Sequence, residues 1–593
     1  MKYELQSGSR SILIAGLLLF IIAVFIIRLF WLQVVQHDYY VGVASREQVR
    51  RLVVPADRGE IYSLDMGVPN KLVLNQTVYT VFADPQTVSQ PDEIVKSLDE
   101  VAGGNTRDKL KDLLTAKNSR YQILATGLTD TQAEMLKDKG YAGIGFQKEN
   151  QRVYPEGSLA AQTLGFVDGE GEGKYGIEGG MNSQLAGKDG LLQSVVDVSE
   201  VPLSIGGKNI KQPAEDGKDV VLTIDRNIQH EAEKALKKGM KKVGADEGSV
   251  VIMDPNSGQI MSMANYPTFN PSKYFKVKDA AAFNNPVISD PYEPGSDIKT
   301  LTMATGIDTG VASAKSTYVN TDHITVADRT ISNASKGETG RITFQHALNW
   351  SLNTGFVTVL ERMGGIEGKT GHATINQQAR EVLYKYFHDK LRLGQLTGLP
   401  LAGESAGIMI GPNNHAYGSL PVRYSNVAFG QGMDITMVQV AAAFGAIING
   451  GDYYTPSVVA GTIDNDTQAF NQKTVEPTEK KVIKKQSSRD VTKMIHEARQ
   501  AFYASHDKKG YYVGGKTGTS QTLENGKYVD NQTIATYLGY GGSDLKNLNY
   551  VIMVRLSGKG KNLEGGKHAM PVFTDISNWM LDYLKLAPGD KNA

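Results

Sequence analysis

Glu293-Pro294-Gly295-Ser296-Asp297-Ile298-Lys299 is the stretch on which the reading of this chain turns. Pro294 and Gly295 break the backbone just ahead of a helix. Ser296 is therefore expected at a helix N-terminus, where free N–H groups and the positive dipole end favour developing negative charge. Lys299 stands three residues on, on the same helix face. A hydroxyl and an amine so placed form a nucleophile and its base, provided that burial and a second cation keep the amine neutral.

Two further motifs follow in order: Ser351-Leu352-Asn353, and Lys516-Thr517-Gly518-Thr519 after Gly514-Gly515. Lys516 is the expected second cation. Ser351 is placed to relay a proton to a leaving amine. Asn353 offers an amide to hold Lys299 and a substrate peptide bond. Gly518 lets a substrate backbone approach closely, and the hydroxyls of Thr517 and Thr519 suit a carboxylate. The backbone N–H groups of Ser296 and Thr519 are the expected oxyanion hole. Ser-x-x-Lys alone means little, with roughly three chance matches expected in a chain of this length. Lys-Thr-Gly alone is also weak. A second copy, Lys369-Thr370-Gly371, follows Gly364-Gly365 in a loop and has His372 where Thr or Ser is wanted, so it is set aside. The ordered triple carries the signal. It marks the active-site serine acyltransferases of the penicillin-binding and β-lactamase group.

Around these motifs the pattern is α+β. Residues 219–224 read as a strand ending in Asp225, a helix N-cap. Ile228, Ala232, Leu236 and Met240 then recur at helical spacing. Residues 249–253 and 259–263 flank Asp254-Pro255-Asn256-Ser257-Gly258, a hairpin signature. A mostly helical middle follows, then strands at 511–516, 533–540 and 549–556 and a closing helix over about 571–586. The sheet is thus completed antiparallel by segments far apart in sequence. Residues 37–215 are mixed and rich in turns: strand-like pieces at 71–74 and 78–82, helical stretches at 92–98 and 106–114, and a glycine-rich loop at 169–173.

Residues 11–36 read as a membrane anchor. Ser11 to Ile27 is uncharged and nearly all apolar, and the character resumes after Arg28 through Trp31 and Val35. About 25 helical residues span ~37 Å, enough to cross a bilayer, and Arg28 can snorkel beside Trp31. A cleaved leader is the rival. The nearest small-residue site, Gly42-Val43-Ala44, lies far beyond the apolar core. Lys2 and Arg10 precede the span and Arg46, Arg50 and Arg51 follow it, so basic residues do not set its orientation.

Composition narrows the function. The 593 residues carry 63 basic and 63 acidic side chains, which argues against a nucleic-acid binder working by bulk charge. There is no cysteine, which removes disulfide scaffolds, thiol nucleophiles, zinc ribbons and iron–sulfur ligation. No metal or other cofactor is called for.

On these residues the chain resembles the class B penicillin-binding proteins, monofunctional peptidoglycan transpeptidases, over most of its length. Arg28 to Val35 resembles the end of the family's anchor. Arg58-Gly59-Glu60-Ile61, Arg152-Val153-Tyr154-Pro155 and Gly176-Ile177-Glu178 resemble pedestal motifs, where buried ion pairing and turn-making are expected. Gly430-Gln431-Gly432 with Thr436 and Gln439 resembles a helix start, with Asn449-Gly450-Gly451 its sequel. The resemblance implies a short cytoplasmic tail at 1–10, the anchor at 11–36, a pedestal or dimerisation-like domain at 37–215 and a transpeptidase domain at 216–593, with a central antiparallel sheet flanked by helices. It implies a D,D-transpeptidase acting on stem peptides through a serine acyl-enzyme outside the cytoplasmic membrane. It also implies acylation by β-lactams and a SEDS-type glycan polymerase as partner in division or elongation. Carboxypeptidase or β-lactamase activity, and a silent scaffold or sensor, are the alternatives. Two positions depart from the pattern. Tyr62-Ser63-Leu64-Asp65 replaces the usual pedestal continuation, and Asp297 follows the serine where a neutral residue is usual. One residue is ~100° of helix, so Asp297 is expected to point away from Lys299 as a helix-start carboxylate. Pointing inward, it would raise the lysine pKa and blunt the base.

Overall fold

The computed structural model describes residues 7–40, 49–195, 210–524 and 527–589. The chain divides into two compact units, Met1–Asp57 with Gly187–Gly217, and Arg58–Ala186 with Lys218–Ala593.

In the first unit the helix Ser7–Phe30 runs on into five π-helical residues, Trp31–Val35. Over Ser11–Val35 the mean hydropathy is 3.0 and none of the most apolar window is buried. Leu13, Phe20, Phe25 and Ile27 all face outward. So apolar a helix with no protein cover is stable where lipid replaces water, and its 25 residues are long enough to cross a bilayer. The same unit holds an antiparallel sheet in which Gly190–Val195 pairs with Val49–Val54 and Ile210–Gln212. Lys2, Gly42-Val43-Ala44 and Arg46 lie outside the described residues, as do the side chains of Arg10, Arg50 and Arg51.

The second unit contains two large sheets. In the first, Ile61–Asp65 and Val68–Ala83 form a hairpin. Val68–Ala83 is one sixteen-residue strand, not the two pieces read at 71–74 and 78–82. The polar run Asn75-Gln76-Thr77 hides the alternation, but it is paired residue for residue with Arg152, Gln151 and Asn150. The helical stretch at 92–98 is Pro91–Val101, while that at 106–114 shrinks to Leu110–Leu114. Asp219–Leu222 joins this sheet, parallel to residues 61–62 and antiparallel to Val459–Ile463. The pedestal-like motifs converge on Glu178, which is fully buried. Nε of Arg58 and Nε of Arg152 each donate to its carboxylate at 2.7 Å, which pairs a charge that would otherwise be costly to bury. At the departure from the family pattern, Asp65 accepts from the backbone N–H and Nε of Arg226 at 2.9 and 2.7 Å. The hairpin is thereby tied to the start of the following helix.

The second sheet carries the site. It is made of β1 (Glu247–Met253), β2 (Ile260–Tyr266), β3 (Tyr512–Glu524), β4 (Lys527–Asp544) and β5 (Asn547–Ser557), in the order β2-β1-β5-β4-β3 and antiparallel throughout. The helices used below are α1 (Arg226–Val243), α2 (Lys299–Asp308), α3 (Asn353–Met363), α4 (Met437–Ile448), α5 (Lys485–Tyr503) and α6 (Met570–Tyr583). Successive strand residues serve opposite faces. Val250, Ile252 and Val554 pack with Leu236 of α1 and Phe573 of α6. Val251, Met253, Val551 and Met553 pack with α4 and with Leu301 of α2 and Ile495 of α5. Both faces are covered, so the inner strands read as continuous apolar runs. All twelve residues of α4 are buried, which accounts for an apolar helix too short to cross a membrane. Asp225 caps α1, accepting from the N–H groups of Asn227 and Ile228.

Candidate active site

Ser296 lies in a tight helical turn, Gly295–Ile298, and the α-helix proper begins at Lys299. The expected helix start is therefore one turn of 3₁₀ geometry ahead of α2, and Ser296 is half-buried on it. Two contacts hold this turn from behind. Gly295 N–H donates to the Gly430 carbonyl at 2.8 Å. The Glu293 carboxylate, 5 % exposed, accepts from Gly432 N–H at 2.6 Å and from the Tyr528 hydroxyl at 3.1 Å. Gly430 has φ +94°, and a Cβ there would overlap the Gly295 carbonyl oxygen. The Gly-Gln-Gly segment is thus a brace beneath the serine turn. The helix it precedes, α4, starts only after Thr436. A cleft of about 590 Å³ opens beside this brace, lined by Glu293, Arg423, Asp434, Leu523 and Tyr528 among others.

Lys299 is 1 % exposed. Its Nζ donates to the Ser351 carbonyl at 2.7 Å, the Ser351 hydroxyl at 3.1 Å and Asn353 Oδ1 at 2.7 Å. Two of these partners are pure acceptors and the third is a hydroxyl, which can donate as well as accept. The set therefore satisfies a neutral amine as well as an ammonium. The rings of Phe356 and Phe429 lie 5.5 and 6.0 Å from Nζ. Burial holds the Lys299 pKa well below the usual lysine value, and the Lys516 charge pushes it the same way. Ser351 has φ +56°, a left-handed conformation that non-glycine residues adopt at a cost of about 1–3 kcal/mol and that gathers at functional sites. This kink between the helix Phe344–Asn349 and α3 lets one residue present both its carbonyl and its hydroxyl to Lys299. One N–H of the Asn353 amide donates to the Ser332 carbonyl at 2.8 Å. Its Oδ1 holds Lys299, and the second N–H of the amide has no partner among the bonds above.

Lys516, Thr517, Gly518 and Thr519 lie inside the single continuous strand β3, which runs well past the expected end at 516. β3 is the edge of the sheet, so backbone groups along it are free to pair with an extended ligand. A Cβ built on Gly295 would come 3.0 Å from the Thr519 carbonyl oxygen and 3.4 Å from its nitrogen. The turn bearing Ser296 therefore lies directly against the Thr519 backbone. Lys516 Nζ donates to the Thr517 carbonyl at 3.1 Å and hydroxyl at 3.3 Å. The Thr519 hydroxyl accepts from Gly565 N–H at 3.1 Å. Gly518 differs from expectation. A Cβ there would meet Asp297 Oδ2 at 2.8 Å and the Pro294 carbonyl at 2.9 Å. Its missing side chain makes room for the serine turn beneath the strand, not for substrate above it.

The structure brings Lys299, Ser351 and Asn353 into direct contact and packs the Ser296 turn on Thr519. Among the described residues, no hydrogen bond to the Ser296 hydroxyl is formed, a common state of catalytic pairs without substrate. Lys369-Thr370-Gly371 is an exposed loop ahead of the short strand His372–Ala373. Sequence reasoning missed the brace, although the glycines of residues 430–432 and the acid before Pro294 were its visible signals. Sequence reasoning also missed the burial of Asp297. Its Oδ2 lies under Gly518 of β3, so this helix-start carboxylate is covered by the strand and fully buried. Among the described residues no cluster of His, Asp and Glu is arranged to hold a metal ion.

Residues 248–578 match the family described as "Penicillin binding protein transpeptidase domain", and residues 53–222 match the "Penicillin-binding Protein dimerisation domain". The chain is 30% identical to the stage V sporulation protein D of Bacillus subtilis, over 96% of this chain and 85% of that one. It is 25% identical to the probable peptidoglycan D,D-transpeptidase PenA of Neisseria meningitidis, over 99% and 95% of the two chains. The fold superposes on penicillin-binding protein 2X of Streptococcus thermophilus with a TM-score of 0.72 at 22% identity, over 90% of this chain and 80% of that one. With the serine turn, the buried lysine and the edge strand in one place, these matches show that the chain belongs to the class B penicillin-binding proteins, the D,D-transpeptidase family of peptidoglycan synthesis.

Proposed function

We propose that this chain cross-links peptidoglycan stem peptides through an ester on Ser296. The Ser296 oxygen attacks the penultimate D-alanine carbonyl of a donor peptide while Lys299 takes its proton. The C–N bond then breaks and D-alanine leaves, its amine taking a proton from Ser351, which Lys299 replaces with the one it took from Ser296. The N–H groups of Ser296 and Thr519 hold the oxyanion, and Lys516 with the hydroxyls of Thr517 and Thr519 holds the terminal carboxylate. An amine on a neighbouring strand next attacks the ester, an amide forms as the C–O bond to Ser296 breaks, and the proton the amine gives up returns through Lys299 to the Ser296 oxygen. A β-lactam enters by the same first step and stays as a penicilloyl ester. The observation that carries this reading is Lys299, an amine buried at 1 % exposure and held by Ser351 and Asn353 within one helical turn of Ser296. A buried amine short of its proton is what a serine nucleophile requires.

The reaction's substrate sets the location. The apolar helix anchors the chain in the cytoplasmic membrane by a single pass, residues 1–10 inside and the large remainder outside. Residues 37–215 act as the pedestal and 216–593 as the transpeptidase domain. A SEDS-type glycan polymerase, the expected partner, supplies the strands to be joined. The test is to incubate the purified full chain with a pentapeptide donor ending in D-alanyl-D-alanine and an acceptor peptide bearing a free side-chain amine. Release of D-alanine together with a cross-linked dimer is the expected result. A tetrapeptide without dimer marks a carboxypeptidase, and no product at all marks a scaffold or sensor. Either outcome contradicts the proposal.

A further inference from the structure

Asp297 is the one charged side chain of the serine turn that the mechanism above does not use. It is fully buried, and neither carboxylate oxygen accepts a hydrogen bond of proper geometry. Lys516, Gly518 and Ser520 share the inner face of β3, since strand residues alternate. Asp297 Oδ2 occupies the space a Gly518 side chain would fill, 2.8 Å from where its Cβ would stand. The Thr536 hydroxyl, opposite Gly518 on β4, reaches into the same space, and it too is buried with no hydrogen bond of proper geometry. Any residue but glycine at 518 would collide with this carboxylate. The strand that carries Lys516 is thus seated on an acid.

The groups facing Asp297 come from three elements. Lys516 lies along β3 and Thr536 on β4. Tyr292 lies ahead of the turn on its own segment, with Arg555 of β5 stacked 4.7 Å from the Tyr292 ring and paired to Asp290. Lys516 is the nearby charge that acts on Asp297. Burial raises the Asp297 pKa to about 7, against the pull of the Thr536 hydroxyl and of Lys516. Burial draws Lys516 down to about 8, and the Asp297 charge opposes that fall. Lys516 in turn bears on Lys299. The two lysines are therefore linked, and the acid acts on the first of them.

We propose that Asp297 is a positioning residue that holds Lys516 as an ammonium from beneath the strand and, through Lys516, keeps Lys299 free of its proton. The inference rests on the reading that Ser296 is acylated with Lys299 as its base. It turns the feared effect of this acid around: placed under β3, its charge falls on the lysine that must stay positive.

The test is the second-order rate of acylation of the full chain by a fluorescent penicillin, followed from pH 6 to 10 for wild type and Asp297→Asn. Wild type should lose rate as Lys516 gives up its proton above about pH 8. Without the buried carboxylate, Lys516 gives up its proton earlier. The alkaline limb of Asp297→Asn should then move to lower pH by about one unit or more. If Asp297→Asn does not fold, Asp297→Ser, smaller than the residue it replaces, carries the same readout. A purely structural role would lower the rate by a constant factor and leave the limb in place, and that result overturns the inference alone. Absence of labelling in wild type at every pH overturns the acyl-serine reading and the inference with it.

Discussion

In the proposed reaction Lys299 concentrates the chemistry of this protein on one nitrogen. A buried amine with two carbonyl acceptors, a hydroxyl and two aromatic rings around it loses the solvation that stabilises an ammonium, so its pKa falls. Lys299→Ala should lower penicillin acylation by a factor on the order of 10²–10⁴, the usual worth of a positioned base, with the melting temperature moved by only a few degrees. A stopped-flow acylation rate close to wild type would remove Lys299 as base. The contact of Lys299 with residues 351 and 353 was legible, because each motif states a residue type and a spacing. The site of Asp297 was only half legible. Helical geometry turns it from Lys299, but a helical wheel does not say that β3, more than 200 residues later, covers that side.

At the scale of elements, the brace under the serine turn matters most. Gly430 meets Gly295 backbone to backbone, at a φ of +94° that suits glycine. Gly430→Ala forces the two segments apart. Misplacement of a reacting group by about 1 Å costs on the order of 10²-fold. Gly430→Ala should therefore acylate 10- to 100-fold more slowly, by roughly that reasoning, and melt at lower temperature. Wild-type acylation kinetics in this variant would show that the brace does not position Ser296. The sequence marks these glycines as a motif but not what they touch, since the contact spans more than a hundred residues. The same limit hid the length of Val68–Ala83, whose polar middle is satisfied by ladder bonds to Ile144–Val153. Where signals are local the reading held: Asp225 as the cap of α1, the 254–258 turn between β1 and β2, and the closing helix α6.

Across the whole molecule, the central sheet was legible as a class because its apolar runs are unmistakable, and both faces are indeed packed by helices. Its strand order was not, since antiparallel neighbours drawn from residues 247–266 and 512–557 follow from packing and not from propensity. The apolar helix Ser11–Val35 was legible throughout, as length and hydropathy are sufficient to identify it. What joins these scales is the proposed ester at Ser296, to which the buried lysine, the braced turn and the edge strand would all contribute. Mass spectrometry of proteolytic peptides after exposure to benzylpenicillin tests it most directly. The account predicts that the peptide containing Ser296 gains the whole mass of the antibiotic, and that Ser296→Ala gains none. An adduct on any other residue, or one that persists in Ser296→Ala, would contradict it.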